Sequence, residues 1–176
     1  VVNVDDEQGE KLANKLQSHV FSANKGLDIW TCSSQNKSAR LQAKGLKRNL
    51  SGLFFEVLEG DQALPLQTAL MGDYNVDNLL GVMASLRALG VSLSQAVKVC
   101  GELTAVPGRM EKVSIQDKDQ LPLILVDYAH TPDAVTQTLL ALKPFAQSLE
   151  SKLWCVLGCG GDRDAGKRPL MAAAAE

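Results

Sequence analysis

Apolar residues in the middle of the chain recur at helical spacing. Val76, Leu79, Leu80, Met83, Leu86 and Leu89 fall on one face, and Gly90 ends the run. Ser92 precedes Gln95 by three residues, the spacing of a capping box, and Ala96, Val97, Cys100 and Leu103 continue a second amphipathic helix. Upstream, residues 1–4 read as a short apolar strand. The acidic residues that follow open a helix over residues 7–16, which suits the positive helix N-terminus. Residues 20–23 read as another strand. Residues 40–47 and 52–58 alternate loosely, like a half-exposed hairpin around residues 49–52 without a fully buried alternation, and residues 64–70 are mostly apolar.

Pro107 and Gly108 turn the chain into a short strand over residues 110–115, and residues 116–120 form a polar turn. Residues 123–126, Leu-Ile-Leu-Val, have the continuous apolar character of a strand buried on both faces of a parallel sheet. Thr131 can cap a helix whose first position is Pro132, where a missing N–H costs nothing. Val135, Leu139 and Leu142 form its buried stripe, and Pro144 stops it or kinks its end. Residues 152–157 return as a strand, and the glycine loop after it opens another helix. The order from residue 123 is therefore β-α-β, the unit of a parallel α/β sheet, although the two strands belong to different sheets if residues 127–131 link two domains. The expected division is 1–127 and 128–176.

Composition narrows the function. The chain has 176 residues, 45% hydrophobic and 22% charged, with a formal charge of -2. That is enough apolar material for a core and too little positive charge for a global pull on nucleic acid. No stretch is apolar enough to insert in a membrane, so a cytoplasmic protein is expected. Cys32, Cys100, Cys155 and Cys159 are scattered apart from one C-x3-C pair, and two histidines complete a poor zinc set. Cys155 and Cys159 are assigned to a buried strand and its exit turn. Both ends look like cuts inside elements, which points to a piece of a longer protein.

Candidate chemistry gathers at turns. GCGGDRDAGKRP, residues 158–169, follows a predicted strand. Glycines let backbone approach an anion, and Arg163 adds a planar fork suited to carboxylate or phosphate. Asp162 and Asp164 can position that arginine; solvated charges on a plain turn are the alternative. The loop has neither P-loop nor dinucleotide-binding spacing. In GDYNVDN, residues 72–78, Asn75 or Asp77 can cap the helix, whereas a carboxamide at Asn78 offers the donor and acceptor that an adenine edge requires. Arg109 sits between a turn and a strand, where it faces a phosphate or simply solvent. Asp127 ends a strand and can face a ligand; His130 can bind phosphate when charged or hold the linker. The set suits a nucleoside-phosphate site split between two domains better than a nucleophilic hydrolase. No catalytic constellation and no metal set is assigned.

GDYNVDNLLG at 72–81, GRME at 108–111, DYAHTPDA at 127–134 and GCGGDRDAGKRPLM at 158–171 together resemble the Mur ligases, and VVNVDDE at 1–7 agrees. The resemblance spans essentially the whole chain. It implies an α/β fold: the second half of a central ATPase domain, with a mixed sheet, helices and a small antiparallel part, then the start of a Rossmann-like C-terminal domain. It implies that Asn75 and Asn78 approach adenine, Arg109 the phosphates and Asp127 the ribose, with His130 in the hinge. Arg163, flanked by Asp162 and Asp164, matches the arginine that grips a carboxylate of the incoming diaminoacid. The implied reaction uses ATP and Mg2+ to join meso-2,6-diaminopimelate to a UDP-N-acetylmuramoyl dipeptide through an acyl phosphate, in a monomer with no nucleic-acid partner. The P-loop, the carbamylated lysine and the UDP-sugar contacts of the family would lie upstream of Val1, and an Asp-Asn-Pro-Arg motif downstream of Glu176, so this stretch is expected to be inactive alone. A lysine-adding sister ligase, a folate-adding ligase and a non-enzymatic nucleotide-binding module are the alternatives.

Overall fold

A computed structural model describes residues 1–18, 27–35, 38–113, 122–160, 164 and 166–176. The chain forms two compact units, Val1–Thr104 and Ala105–Glu176. The expected border at residues 127 and 128 falls inside the second of these. The fold class is as expected: α/β, with a mixed five-stranded sheet flanked by helices and a small antiparallel pair.

In the first unit the sheet runs β1 (Val2–Asn3), β2 (Thr31–Ser33), β3 (Leu41–Asn49), β4 (Gly52–Glu59) and β5 (Gln62–Thr68), in that spatial order. The first three strands are parallel and the last three antiparallel. The hairpin expected around residues 49–52 joins β3 and β4, with Asn49 opposite Gly52. Its burial differs from expectation. Leu53, Phe55 and Val57 are 1%, 0% and 0% exposed, a full period-2 core face. Phe54 and Leu58 on the other face are also apolar and hide that alternation in the sequence. β2 was not foreseen, and the strand expected at residues 20–23 lies outside the described residues.

The helix α1 (Glu7–Gln17) is capped by Asp6, whose carboxylate accepts from the amides of Gln8 and Gly9. It packs on β1 at Gly9, where a Cβ would stand 1.8 Å from the Asn3 carbonyl oxygen; only glycine allows this approach. The next helix, α2 (Tyr74–Ala88), buries Val76, Leu79, Leu80, Met83 and Ala84 against the sheet. Its end is a Schellman motif: Gly90 N donates to Arg87 O and Val91 N to Leu86 O. Leu89 therefore lies past the helix and is 82% exposed, not part of the buried face. The capping box of Ser92 and Gln95 forms as the spacing predicts and opens α3 (Leu93–Gly101), which buries Ala96, Val97 and Cys100. Leu103 falls beyond α3 and is exposed.

The second unit departs further from expectation. β6 (Glu111–Lys112) and β7 (Leu125–Val126) pair antiparallel, so no parallel β-α-β unit forms among the described residues. Leu123, Ile124 and Val126 are exposed rather than buried on two faces, as suits a two-stranded antiparallel pair rather than an inner strand of a parallel sheet. Thr131 caps α4 (Pro132–Ser148) through Ala134 N, with Pro132 at the first turn as predicted. Val135 is buried, but Leu139 and Leu142 are only partly covered. Pro144 does not end α4. The helix continues one turn to Ser148, and burial of Phe145 offsets the hydrogen bond that proline removes. The helix α5 (Lys167–Ala175) packs on α4 and buries Met171. Residues 152–157 are not a strand. A strand needs a hydrogen-bonded neighbour, the described residues supply none, and Trp154 and Val156 stand 81% and 101% exposed. Cys155 and Cys159 are accordingly exposed, not in a buried strand.

Candidate functional site

Asn75 and Asn78 sit in the first turns of α2. The turn before it depends on Gly72, whose φ of 87° favours glycine and where a Cβ would stand 2.8 Å from the Tyr74 ring. Neither Asn75 nor Asp77 caps the helix; the cap position is Asp73. Instead Asn75 Nδ2 donates to the Met71 carbonyl at 2.7 Å, and its Oδ1 accepts from Asn78 Nδ2 at 3.1 Å. The two carboxamides thus form a relay. Asn78 is exposed, and beyond its bond to Asn75 its carboxamide still has an acceptor oxygen and a second amide hydrogen to offer.

Acidic side chains surround this turn. Asp5, at the carboxyl end of β1, accepts from the Ser33 hydroxyl, from Ser34 N at 2.7 Å and from the Ser34 hydroxyl at 3.3 Å. Asp77 has one buried carboxylate oxygen without a partner. Burial pushes its carboxyl above the ordinary value, the Ser34 hydroxyl opposes that, and the charges of Asp5 and Asp73 add to it. Burial, helped by Asp77 and Asp5, also raises the Cys32 thiol to about 11, so it is no nucleophile. A cleft of about 640 Å³ is lined by Ser33, Ser34, Lys44, Arg48, Asp73 and Asp77 among others. A second groove of about 550 Å³ runs past Asn3, Asp77 and Asn78.

In the second unit the structure brings Arg109, Asp127 and His130 together. Asp127 Oδ2 accepts from Met110 N at 3.0 Å, and its Oδ1 accepts from Ala129 N at 2.9 Å and Thr138 Oγ1 at 3.2 Å. This carboxylate therefore organises the turn, and it holds Met110 at a φ of 47°, unusual for a residue with a side chain. The Arg109 guanidinium stands 5.0 Å from the centre of the Tyr128 ring. His130 Nδ1 lies 3.0 Å from the Tyr128 carbonyl, and the two rings are 5.1 Å apart. Arg109, Tyr128 and His130 make a compact cationic and aromatic surface able to face a phosphate or a base. Asp164 is exposed in the turn before α5. Asp162 and Arg163 lie outside the described residues.

Two family models match: the Mur ligase middle domain over residues 1–86, and the Mur ligase glutamate ligase domain over residues 108–176. The UDP-N-acetylmuramoyl-L-alanyl-D-glutamate--2,6-diaminopimelate ligase of Acidovorax sp. (strain JS42) is 53% identical over 176 residues, all of this chain and 33% of that protein. The chain belongs to the Mur ligase family. A Mur ligase of the same description from Janthinobacterium sp. (strain Marseille) is 42% identical over 97% of the chain and 33% of its own length. A solved structure of a UDP-N-acetylmuramoyl-L-alanyl-D-glutamate--2,6-diaminopimelate ligase superposes with a TM-score of 0.70 and 34% identity, over 98% of this chain and 33% of that one. The chain thus spans about a third of the Mur ligases it matches.

Among the described residues of this Mur ligase segment, no group of three His, Cys, Asp or Glu side chains suits a metal ion. Sequence reasoning missed the Asp5, Ser33 and Ser34 network, and the ion pair that Asp73 makes with Arg48. It also left out Tyr128, although this residue stands inside the DYAHTPDA motif. An aromatic directly after the strand-ending Asp127 was the available signal.

Proposed function

We propose that the protein carrying this chain is an ATP-dependent ligase that joins meso-2,6-diaminopimelate to UDP-N-acetylmuramoyl-L-alanyl-D-glutamate, a step in peptidoglycan precursor synthesis. The observation that carries the reading is 53% identity, across every residue of the chain, to a ligase of that description. In this reading ATP phosphorylates the D-glutamate carboxylate, the diaminoacid amine attacks the acyl phosphate, and phosphate leaves.

The residues of this chain bind and orient. Asn78, held by Asn75, pairs with the adenine edge through its remaining acceptor and donor. Arg109 meets the phosphates, with its charge kept over Tyr128, and His130 adds a second donor when protonated. Asp127 reaches the ribose while it holds the turn at Met110. Arg163 grips a carboxylate of the diaminoacid as a bidentate fork, and Asp162 and Asp164 orient it. A functional border near residues 127 and 128 would separate the ATP contacts from the diaminoacid contacts. Exclusion of water protects the acyl phosphate from hydrolysis.

The test is phosphate release by the full-length protein, with each substrate withheld in turn and with L-lysine in place of diaminopimelate. Release that requires the UDP-dipeptide and diaminopimelate supports the reading. Release with lysine alone assigns the sister activity, and no dependence on either amino acid refutes the ligase assignment. For the adenine contact, Asn78→Ala removes a hydrogen-bonding side chain worth about 1–3 kcal/mol, so KM for ATP should rise roughly five- to 150-fold. Unchanged ATP affinity in a folded variant leaves Asn78 with no role at adenine.

A further inference from the structure

We propose that Arg48 and Asp73 are positioning residues that set the register of the Asn75 and Asn78 carboxamides, and with it the preference for adenine over guanine. The inference rests on the adenine reading given above.

Aspartate at a helix cap position ordinarily turns back to accept from the amides of the first turn. Asp73 does not. It has helical dihedrals (φ −60°, ψ −32°) and makes no side-chain cap bond. Both of its oxygens are taken by Arg48, with Nε to Oδ1 at 2.7 Å and Nη2 to Oδ2 at 2.5 Å. Arg48 lies in β3, opposite Leu53 of the fully buried β4 face, so the fork ties the start of α2 to a paired strand of the sheet. The helix has given up a side-chain cap for a tether to that sheet.

The tether acts where register matters. Asp73 stands between Met71, whose carbonyl orients the Asn75 amide, and Asn75 itself, which orients Asn78. The bond that orients Asn75 spans Asp73, and Asn78 is oriented in turn by Asn75. Adenine offers a donor beside an acceptor on its pairing edge, and guanine offers the reverse order. A carboxamide discriminates between them only if it cannot turn over or slide. An ordinary surface ion pair contributes little and leaves no mark on specificity. A two-point fork on the residue between the two anchors fixes both distance and angle, which a single charge contact does not.

The experiment measures kcat/KM for ATP and for GTP, KM for the diaminoacid, and Tm, on the full-length protein. The variants are Arg48→Met, Asp73→Asn, the double variant, and Arg48→Lys, which keeps charge without the fork. Each single variant should lower the ATP-to-GTP ratio roughly three- to tenfold, and the double should be no worse than either single, as expected for partners in one interaction. Arg48→Lys should recover only part of the ratio, with diaminoacid KM unchanged. A purely structural pair would lower Tm and leave the ratio intact, which overturns the proposal; so would a double variant whose loss is the product of the singles. If Arg48→Met fails to fold, Asp73→Asn and Arg48→Lys decide by the same ratio. Asn78→Ala separates the two layers of inference. An altered ratio there with none in the Arg48 variants rejects the positioning role alone, whereas no change in either rejects the adenine reading too.

Discussion

Arg87 offers a test of what holds the first unit together. It sits in the last turn of α2 and reaches three places at once. Its Nε and Nη2 donate to Glu59 at 2.6 and 2.9 Å, and its Nη1 donates to the Val91 carbonyl at 2.5 Å. The guanidinium also stands 5.5 Å from the centre of the buried Trp30 ring. The end of β4, the end of α2 and the entry to α3 are thus joined by one side chain. The pair is mostly covered, with side-chain exposures of 23% for Arg87 and 15% for Glu59.

A fully exposed pair contributes about 0–1 kcal/mol, and losing one partner of a buried pair costs about 3–5 kcal/mol. This pair lies at the rim, between those limits and open to screening, so Arg87→Ala should cost about 1–2 kcal/mol. Arg87→Lys keeps a charge but loses the three-way fork, so it should recover less than half of that. In urea unfolding the midpoint should fall with the slope unchanged. The double variant Arg87→Ala with Glu59→Ala should be less destabilised than the sum of the singles by about 1 kcal/mol. A cost below about 0.5 kcal/mol for Arg87→Ala, or strict additivity in the cycle, would show that the geometry does not report an energetic coupling.

Asp77 should impose a pH dependence. Its folded pKa is raised, so the folded form binds a proton more tightly than the unfolded one. The resulting stability is present below the ordinary value of 3.8 and lost as pH rises through the elevated folded value. Asp77→Asn should therefore stabilise the protein more at pH 7 than at pH 4, and an equal gain at both in urea unfolding refutes the burial argument. At the glycine loop, Arg163→Ala should remove about 2–5 kcal/mol of diaminoacid binding and leave ATP affinity unchanged. Arg163→Lys should not be silent. Weakened ATP binding with normal diaminoacid saturation would move the loop to the nucleotide.

Local signals in this chain were legible because they are answered locally. The capping box of Ser92 and Gln95, the glycine after α2 and the Thr131 and Pro132 start of α4 all use partners within a few residues. The helical face of Val76, Leu79, Leu80 and Met83 is likewise a matter of spacing. The four motifs were enough to point to the family, since they are read as residues in order and need no coordinates. Strands were another matter. Residues 52–58 carry apolar side chains on both faces, and only pairing with β3 and β5 shows that Leu53, Phe55 and Val57 form the core side. Residues 152–157 have strand composition, yet a strand is a relation between two segments, and no described segment pairs with this one. The same holds at the candidate site. The sequence suggested Asn75 and Asn78 by type, but it could not show that Asn75 is turned by Met71, that Arg48 has drawn Asp73 away from the cap, or that Asp5 joins Ser33 and Ser34 across 28 residues and more. Those contacts depend on how the sheet brings distant residues together, and spacing along the chain carries no record of that.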